Sequence, residues 1–319
     1  MATATVITKE TRTGKFNPYQ AITDRIIAAL KQGDIPWRKP WKNAGTPMNL
    51  VSKRPYRGIN VFILGAMPYE SPYWLTFNQC KQLGGHVLKG EKATAVVFWK
   101  TGTYEAEDDA GETETRRSFL MRLYYVFNVE QTNLANAAKE MQKEEPREIV
   151  SCEDVLKAYI GRPDIKHGGN SQACYHPLTD IVEMPLKKSF DTTEHYYAVL
   201  FHELTHSTAH PKRLNREIKN QFGSELYAKE ELIAEMGSAF LCGLTGISKP
   251  AIETNQVAYI QGWIKALQND PRMIISAASH AQRAADLISN EMKMDRDEKE
   301  FIAICSAVAN HCGEETAVA

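Results

Sequence analysis

The spacing of apolar residues changes character along the chain. Near the start, Tyr19, Ile22, Ile26, Ile27 and Leu30 recur at three- and four-residue intervals with Gly33 just beyond, which predicts a helix over 18–32. β-Branched and aromatic runs then occupy 94–100 (TAVVFWK) and 118–130 (SFLMRLYYVFNVE), joined by the acidic stretch TYEAEDDAGETETRR; they predict two strands with a long hairpin connection. Segment 71–85 predicts a short helix ended by Gly84 and Gly85. Further on the period is helical almost throughout, with helices predicted at 194–210, 228–244, 257–267 and 271–289. Pro211 stops the first, and Asp270 and Pro271 supply the N-cap and first turn of the last. CYHPLTDIVEMP, at 174–185, predicts a strand.

Between these patterned regions lie two that carry none. Residues 1–17 are polar and aperiodic and predict a disordered tail. Residues 131–148 turn to Lys, Glu, Asn and Ala with no continuing apolar stripe, and predict a linker. The expected organisation is an α+β chain: a small mixed α/β domain over 18–130, and a mainly helical domain with a short sheet over 149–319.

With 319 residues, 43% hydrophobic and 24% charged, the chain is long enough for two domains with cores of their own. Six scattered cysteines with no CxxC argue against a disulfide framework and against a cysteine-built zinc site. No run approaches the ~18 apolar residues of a membrane span. The first residues, MATATVITKETRTGK, lack the apolar core of a secretory signal, so a soluble, cytoplasmic protein is expected. The net charge of −1 conceals an asymmetry: residues 1–100 carry 15 Lys and Arg against 5 Asp and Glu, the remainder 23 against 34. A basic first third fits a polyanionic partner.

The most informative motif is His202-Glu203-Leu204-Thr205-His206. On a helix, positions i and i+4 share one face, so both imidazoles can hold one zinc ion from the same side. Glu203 lies beside that face, placed to take a proton from a water on the ion. The helix is half-buried rather than superficial, since Tyr197, Leu200, Phe201 and Leu204 surround the motif. A second helix carries Glu230, Glu231 and Glu235 within an apolar run, where acids are costly unless paired or metal-bound. This stretch resembles the Glu-x-x-Ala-Asp pattern of gluzincin-type metallopeptidases, with Glu235 where Asp is usual. The resemblance implies Glu231 as third ligand and Glu235 as the partner of a ligand histidine's other nitrogen; Glu235 as ligand is the alternative, and Glu230 is expected to face solvent. Zinc is the expected ion, with Mn²⁺ or another divalent ion as substitute. His176, Asp180 and Glu183, on the strand upstream, either border the cleft or are merely solvated.

In the basic region, cations and rings interleave: Trp37, Arg38, Lys39 and Trp41; Lys53, Arg54, Tyr56 and Arg57; Trp74; Lys89 and Lys92. Proteins that hold single strands need cations for phosphates and aromatic faces for bases, so these residues are candidate contacts for single-stranded DNA. Trp37, Trp41, Tyr56 and Arg57, in loops rich in Pro, Gly and Lys, are expected at the surface, whereas Phe98, Trp99 and Phe127 are expected in a core.

PWRKPW, YRGIN at 56–60, W-x-T-F-x-Q at 74–79 and GGHVLKGEKATAVVFWK at 84–100 resemble the N-terminal domain of ArdC-type antirestriction proteins. FHELTHSTAHPKRLNR and YAKEELIAEMGSAFLCGLTGI resemble their C-terminal zincin domain. The resemblance covers about residues 18 to 290. It implies an N-terminal single-stranded-DNA-binding domain, a zincin-like metallopeptidase domain, and a plasmid-borne role in shielding DNA from host restriction during conjugation. Its protein substrate is unidentified, with a restriction component the natural candidate, and no membrane partner is expected. The alternative is a non-catalytic DNA-coating protein whose zinc is structural.

Overall fold

The computed structural model describes residues 17–38, 45–107, 113–144, 150–169, 172–217, 224–247 and 256–291. The tail expected over 1–17 lies outside them except for Asn17, whose side chain caps the first helix, α1 (Pro18–Lys31), by accepting from the Tyr19 N–H. Ile22, Ile26, Ile27 and Leu30 form its buried stripe, and Gly33 follows with φ of 81°.

The first sheet has the order β1-β2-β4-β3. It comprises β1 (Met48–Asn49), β2 (Tyr73–Leu75), β3 (Thr94–Glu107) and β4 (Thr113–Asn128), with α2 (Ile59–Gly65) and α3 (Phe77–Gln82) inserted before and after β2. β1 runs parallel to β2, and the others pair antiparallel. Segment 71–85 is therefore a strand and then a helix; Thr76 and Gln79 form a capping box that starts α3 abruptly at the end of β2. The strands of the hairpin extend through much of the expected connection, with Glu107 pairing Thr113.

The expected linker begins inside this module. Gln131 is buried and donates to Glu91 and to the Lys92 carbonyl, and α4 (Ala135–Glu144) packs Ala138 against Leu75 and Cys80.

The second sheet, β5-β7-β6, contains β5 (Asp164–His167), β6 (Cys174–His176) and β7 (Ile181–Met184), preceded by α5 (Cys152–Ala158). The single strand expected at 174–185 is thus a tight hairpin, because Asp180 adopts φ of 52° and reverses the chain. Val182 and Met184 alternate inward, and this sheet packs on α6 (Thr193–Ser207). α7 (Glu225–Leu244), α8 (Gln256–Asn269) and α9 (Met273–Ile288) complete the module. In place of an N-cap at Asp270, the Asp270 side chain accepts from the Arg272 N–H in a turn, and α9 starts two residues later than expected.

One continuous core joins both modules. Phe62 of α2 stacks on Phe240 of α7 at 4.8 Å between ring centroids, and Trp37 meets Trp263 of α8 edge-on at 5.3 Å. Arg57 forms an ion pair with Asp286 of α9, the Gly58 N–H donates to Gln282, and the Thr23 hydroxyl donates to the Pro271 carbonyl.

These contacts correct the surface reading of Trp37 and Tyr56, which are 0% and 8% exposed; Trp74, a candidate DNA contact, is 1% exposed, so the faces of all three are covered by protein. The Pro- and Lys-rich loops that suggested exposure are the points where the first module docks on the second. Arg57 is partly exposed, with its guanidinium turned to Asp286. Phe98 is partly buried against the main core, as expected, and Phe127 is partly buried outside both core clusters, while Lys39 and Trp41, and the side chain of Trp99, lie outside the described residues.

Where α6 and α7 cross, Gly237 faces Thr205, and a Cβ built on the glycine would lie 2.5 Å from the threonine methyl. Thr205 is held in place by its hydroxyl, which donates to the Phe201 carbonyl at 2.7 Å. Gly237→Ala is expected to destabilise the protein by about 1–3 kcal/mol through overpacking, read as a lower melting temperature, and to spread the two helices.

Candidate metal centre

His202 and His206 stand one turn apart on α6, and their Nε2 atoms approach to 3.2 Å. α6 begins at Thr192, which caps the His195 N–H, and its apolar side, Leu200, Phe201 and Leu204, is fully buried. The opposite edge of the helix therefore presents both imidazoles to α7.

From α7, Glu231 reaches between them: its carboxylate oxygens lie 3.7 Å from His202 Nε2 and 3.6 Å from His206 Nε2. Among the described residues, these three side chains bring potential ligand atoms within 4.8 Å of one another. A tetrahedral ion bound at roughly 2.0–2.1 Å would hold its donors about 3.3–3.4 Å apart. The observed separations of 3.2, 3.6 and 3.7 Å fit that spacing, and two nitrogens and a carboxylate suit a divalent ion with one open position.

The other ring nitrogens also face acids. His202 Nδ1 lies 3.6 Å from Glu235 Oε1, outside hydrogen-bond range, whereas His206 Nδ1 lies 3.3 Å from Glu230 Oε1. The sequence expectation that Glu230 faces solvent fails: it is 6% exposed and is gripped by Arg216, whose Nη2 donates to Oε1 at 2.7 Å and whose Nε donates to Oε2 at 3.2 Å. Arg216 also donates to the Thr208 hydroxyl and the Thr205 carbonyl at the end of α6. Without that guanidinium, a buried Glu230 would be costly.

Glu203 is buried on the adjacent side of α6. Its Oε2 accepts the backbone N–H of Tyr175 on β6 at 2.8 Å. β6 is held in turn by Arg213, which donates to Asp180 and to the Tyr175 hydroxyl as well as to the carbonyls of Ser207 and Gly161. Asp180 thus braces the hairpin, and His176 pairs with Glu183 at 3.4 Å. Sequence reasoning missed Arg216, Arg213 and the Tyr175 amide. It also missed Cys174 on β6, whose thiol is shifted upward by partial burial and by the charges of Glu203, Glu183 and Glu231.

Burial opposes protonation of His206, but the Glu230 hydrogen bond and the charges of Glu231, Glu230 and Glu203 prevail and raise its pKa to about 9. Burial likewise disfavours the Glu231 anion, yet the two imidazoles hold its pKa down to about 2.

Two comparisons of family models divide the chain. The model described as the N-terminal domain of anti-restriction factor ArdC matches residues 16–127, and one described as a zincin-like metallopeptidase matches 154–280. The crystal structure of antirestriction ArdC protein from the R388 plasmid, in its metal-free form, superposes with a TM-score of 0.69 at 35% identity, covering 90% of this chain and 99% of that one. The chain belongs to the ArdC-type antirestriction family. The Mn(II)-bound form of that ArdC matches with a TM-score of 0.69 at 36% identity over 86% of this chain and 98% of that one. The uncharacterized protein y4eC of Sinorhizobium fredii (strain NBRC 101917 / NGR234) is 38% identical over 84% of this chain and 90% of its own length. A DNA primase TraC of Escherichia coli is 34% identical over 85% of this chain, which spans only 27% of the primase. The zincin-like domain, the Mn(II) form of ArdC and the convergent donors together support a divalent-metal centre in this member of the family.

In ion-free protein, protonated His206 contributes stability that is fully present below about pH 6.5 and is lost as the pH rises through about 9. Depressed Glu231 contributes above about pH 4.5 and is lost as the pH falls through about 2. Melting temperatures of chelator-treated protein are expected to fall between pH 6.5 and 9, and this slope is expected to flatten in His206→Gln. Because an ion must displace the His206 proton, affinity for a divalent ion is expected to rise across the same window.

Proposed function

We propose that this protein is a bifunctional antirestriction factor, in which residues 18–130 bind single-stranded DNA with little sequence preference and the α6–α7 centre is a zinc peptidase. Together they protect plasmid DNA entering by conjugation from host restriction, and the protein substrate is to be sought among restriction components. The carrying observation is the placement of Glu203. It stands outside the set of three converging donors, yet is buried beside them and anchored to the β6 backbone. An ion that only stabilised the fold would need the three donors and not this further acid, which disfavours the DNA-coating alternative.

Bound between the two helices, a zinc ion would polarise a peptide carbonyl and make water acidic enough to act near neutral pH. His202, His206 and Glu231 would hold the ion, Glu230 would fix the His206 ring from behind with Glu235 facing the other nitrogen of His202, and Glu203 would accept a proton from the attacking water and deliver it to the leaving amine. With Oε2 fixed by the Tyr175 N–H, the carboxylate has one defined orientation for that transfer. For the DNA-binding half, support comes from the charge asymmetry, the match to the N-terminal domain of ArdC, and relatives named as DNA primases.

Glu203→Gln is expected to keep wild-type metal content and DNA affinity while losing about 10²–10⁴-fold in peptidase rate, assayed on casein with and without single-stranded DNA. Loss of metal from this variant, or unchanged proteolysis, would refute the assignment of Glu203. By chelator competition, Glu235→Gln is expected to weaken metal binding by about 10–100-fold and Glu231→Gln by more; the reverse order would make Glu235 the ligand.

A further inference from the structure

Among the described residues, burial of Trp37, Tyr56 and Trp74 removes the rings that the sequence offered for stacking against bases, Trp41 lying outside them. Among the described residues of the first module, the large side chains with more than a third of their surface exposed include two aromatic ones, Phe77 at 51% and Tyr125 at 59%. They are neighbours by register. Leu75 of β2 pairs with Phe127 of β4; Phe77 lies two residues beyond Leu75, and Tyr125 two residues before Phe127. Thr76 stays extended, and α3 packs against β4, so the register carries position 77, at the start of α3, alongside position 125 of β4.

Among the described residues, the rest of that sheet face is buried or partly buried. Toward one end, Leu75 and Val129 pack beneath α3 and α4; toward the other, Met121 enters the main core. Leu123 and Phe127, on either side of Tyr125 on that face, are both partly buried. Tyr125 therefore occupies a gap between two covered stretches, with Phe77 at its border.

The charge around this gap is cationic. Between residues 45 and 98 there are six Lys and Arg and two Glu. Lys81 places its ammonium 5.8 Å from the centre of the Phe77 ring, and exposed Lys89 and Lys92 precede β3 at the end where Thr94 pairs with Val126. Of the nearby acids, Glu91 accepts from Gln131, and Glu130 accepts the backbone N–H groups of Glu70 and Ser71 in the turn into β2.

We propose that Phe77 and Tyr125 are the base-stacking platform of this protein for single-stranded DNA, with Lys81, Lys89 and Lys92 meeting the phosphates. The proposal rests on the DNA-binding reading above and gives it a location. Adjacent solvent-facing rings bordered by ammonium groups are the combination that holds bases regardless of identity, because every base has a π-face. A duplex keeps its bases stacked on each other and offers none to these rings, so the platform selects single strands.

The test uses the full chain and fluorescein-labelled oligo(dT), with a blunt duplex of equal length as control, in fluorescence anisotropy over a salt series. Phe77→Leu combined with Tyr125→Leu keeps apolar bulk and removes the rings. Its affinity for oligo(dT) is expected to fall by about tenfold or more at fixed salt, with an unchanged salt slope, because no cation is lost. Lys81→Ala with Lys89→Ala and Lys92→Ala is expected to make that slope shallower. Melting temperature and metal affinity, measured in parallel, are expected to stay at wild-type values and so exclude misfolding as the cause. Wild-type binding with an unaffected double leucine variant would overturn the platform and leave the DNA-binding reading standing. Failure of the wild-type protein to bind oligo(dT) would overturn that reading as well. A change in sedimentation of the leucine variant, with DNA affinity intact, would assign the patch to contact between copies of the chain and overturn the platform.

Discussion

The close crossing of α6 and α7 is the constraint on which the centre depends. Imidazoles on one helix and a carboxylate on another can share an ion only if the two backbones approach to within the reach of a Glu side chain. Gly237 permits this by leaving room for Thr205, and Ser238 ties the helices together by donating to the Ala198 carbonyl at 2.7 Å. Around that contact the helix faces are apolar and buried, from Leu204 on one side to Leu232 and Met236 on the other. Packing thus sets the distance, and the polar groups fit within it.

That arrangement gathers four carboxylates, Glu203, Glu230, Glu231 and Glu235, where water is largely excluded. Buried anions persist only when something opposes their charge. Each has a distinct counterpart: a backbone amide for Glu203, a bidentate guanidinium for Glu230, and imidazole nitrogens for Glu231 and Glu235. Arg216 neutralises the acid behind the His206 ring, leaving the charge of Glu231 directed at the space between the two Nε2 atoms.

What was legible in the sequence was what depends on local spacing. The pair His202 and His206 follows from helix periodicity alone, as does the buried stripe of α1. The reach of Glu231 was suggested by its likeness to a peptidase pattern, and the structure brings it to the two rings. Glu230 was misjudged because its partner, Arg216, comes from the segment after α6, and no periodicity in α7 can announce a guanidinium arriving from elsewhere. The same limit applied to Trp37 and Tyr56. Their Pro- and Lys-rich surroundings indicated a loop correctly, but whether a loop residue meets water or Trp263 is decided by the docking of distant elements. Segment 71–85 shows a subtler case, in which a three-residue strand was hidden in an apolar stretch because pairing with β4, and not its own pattern, makes it a strand.

The stack of Phe62 on Phe240, the contact of Trp37 with Trp263 and the pairing of Arg57 with Asp286 make the two halves of the molecule mutually dependent. A cut between them would leave large aromatic faces bare on both pieces, so neither half is a portable unit. Inheritance follows the same rule: in the far longer TraC primases, the matching block spans 85% of this chain, crossing both halves together.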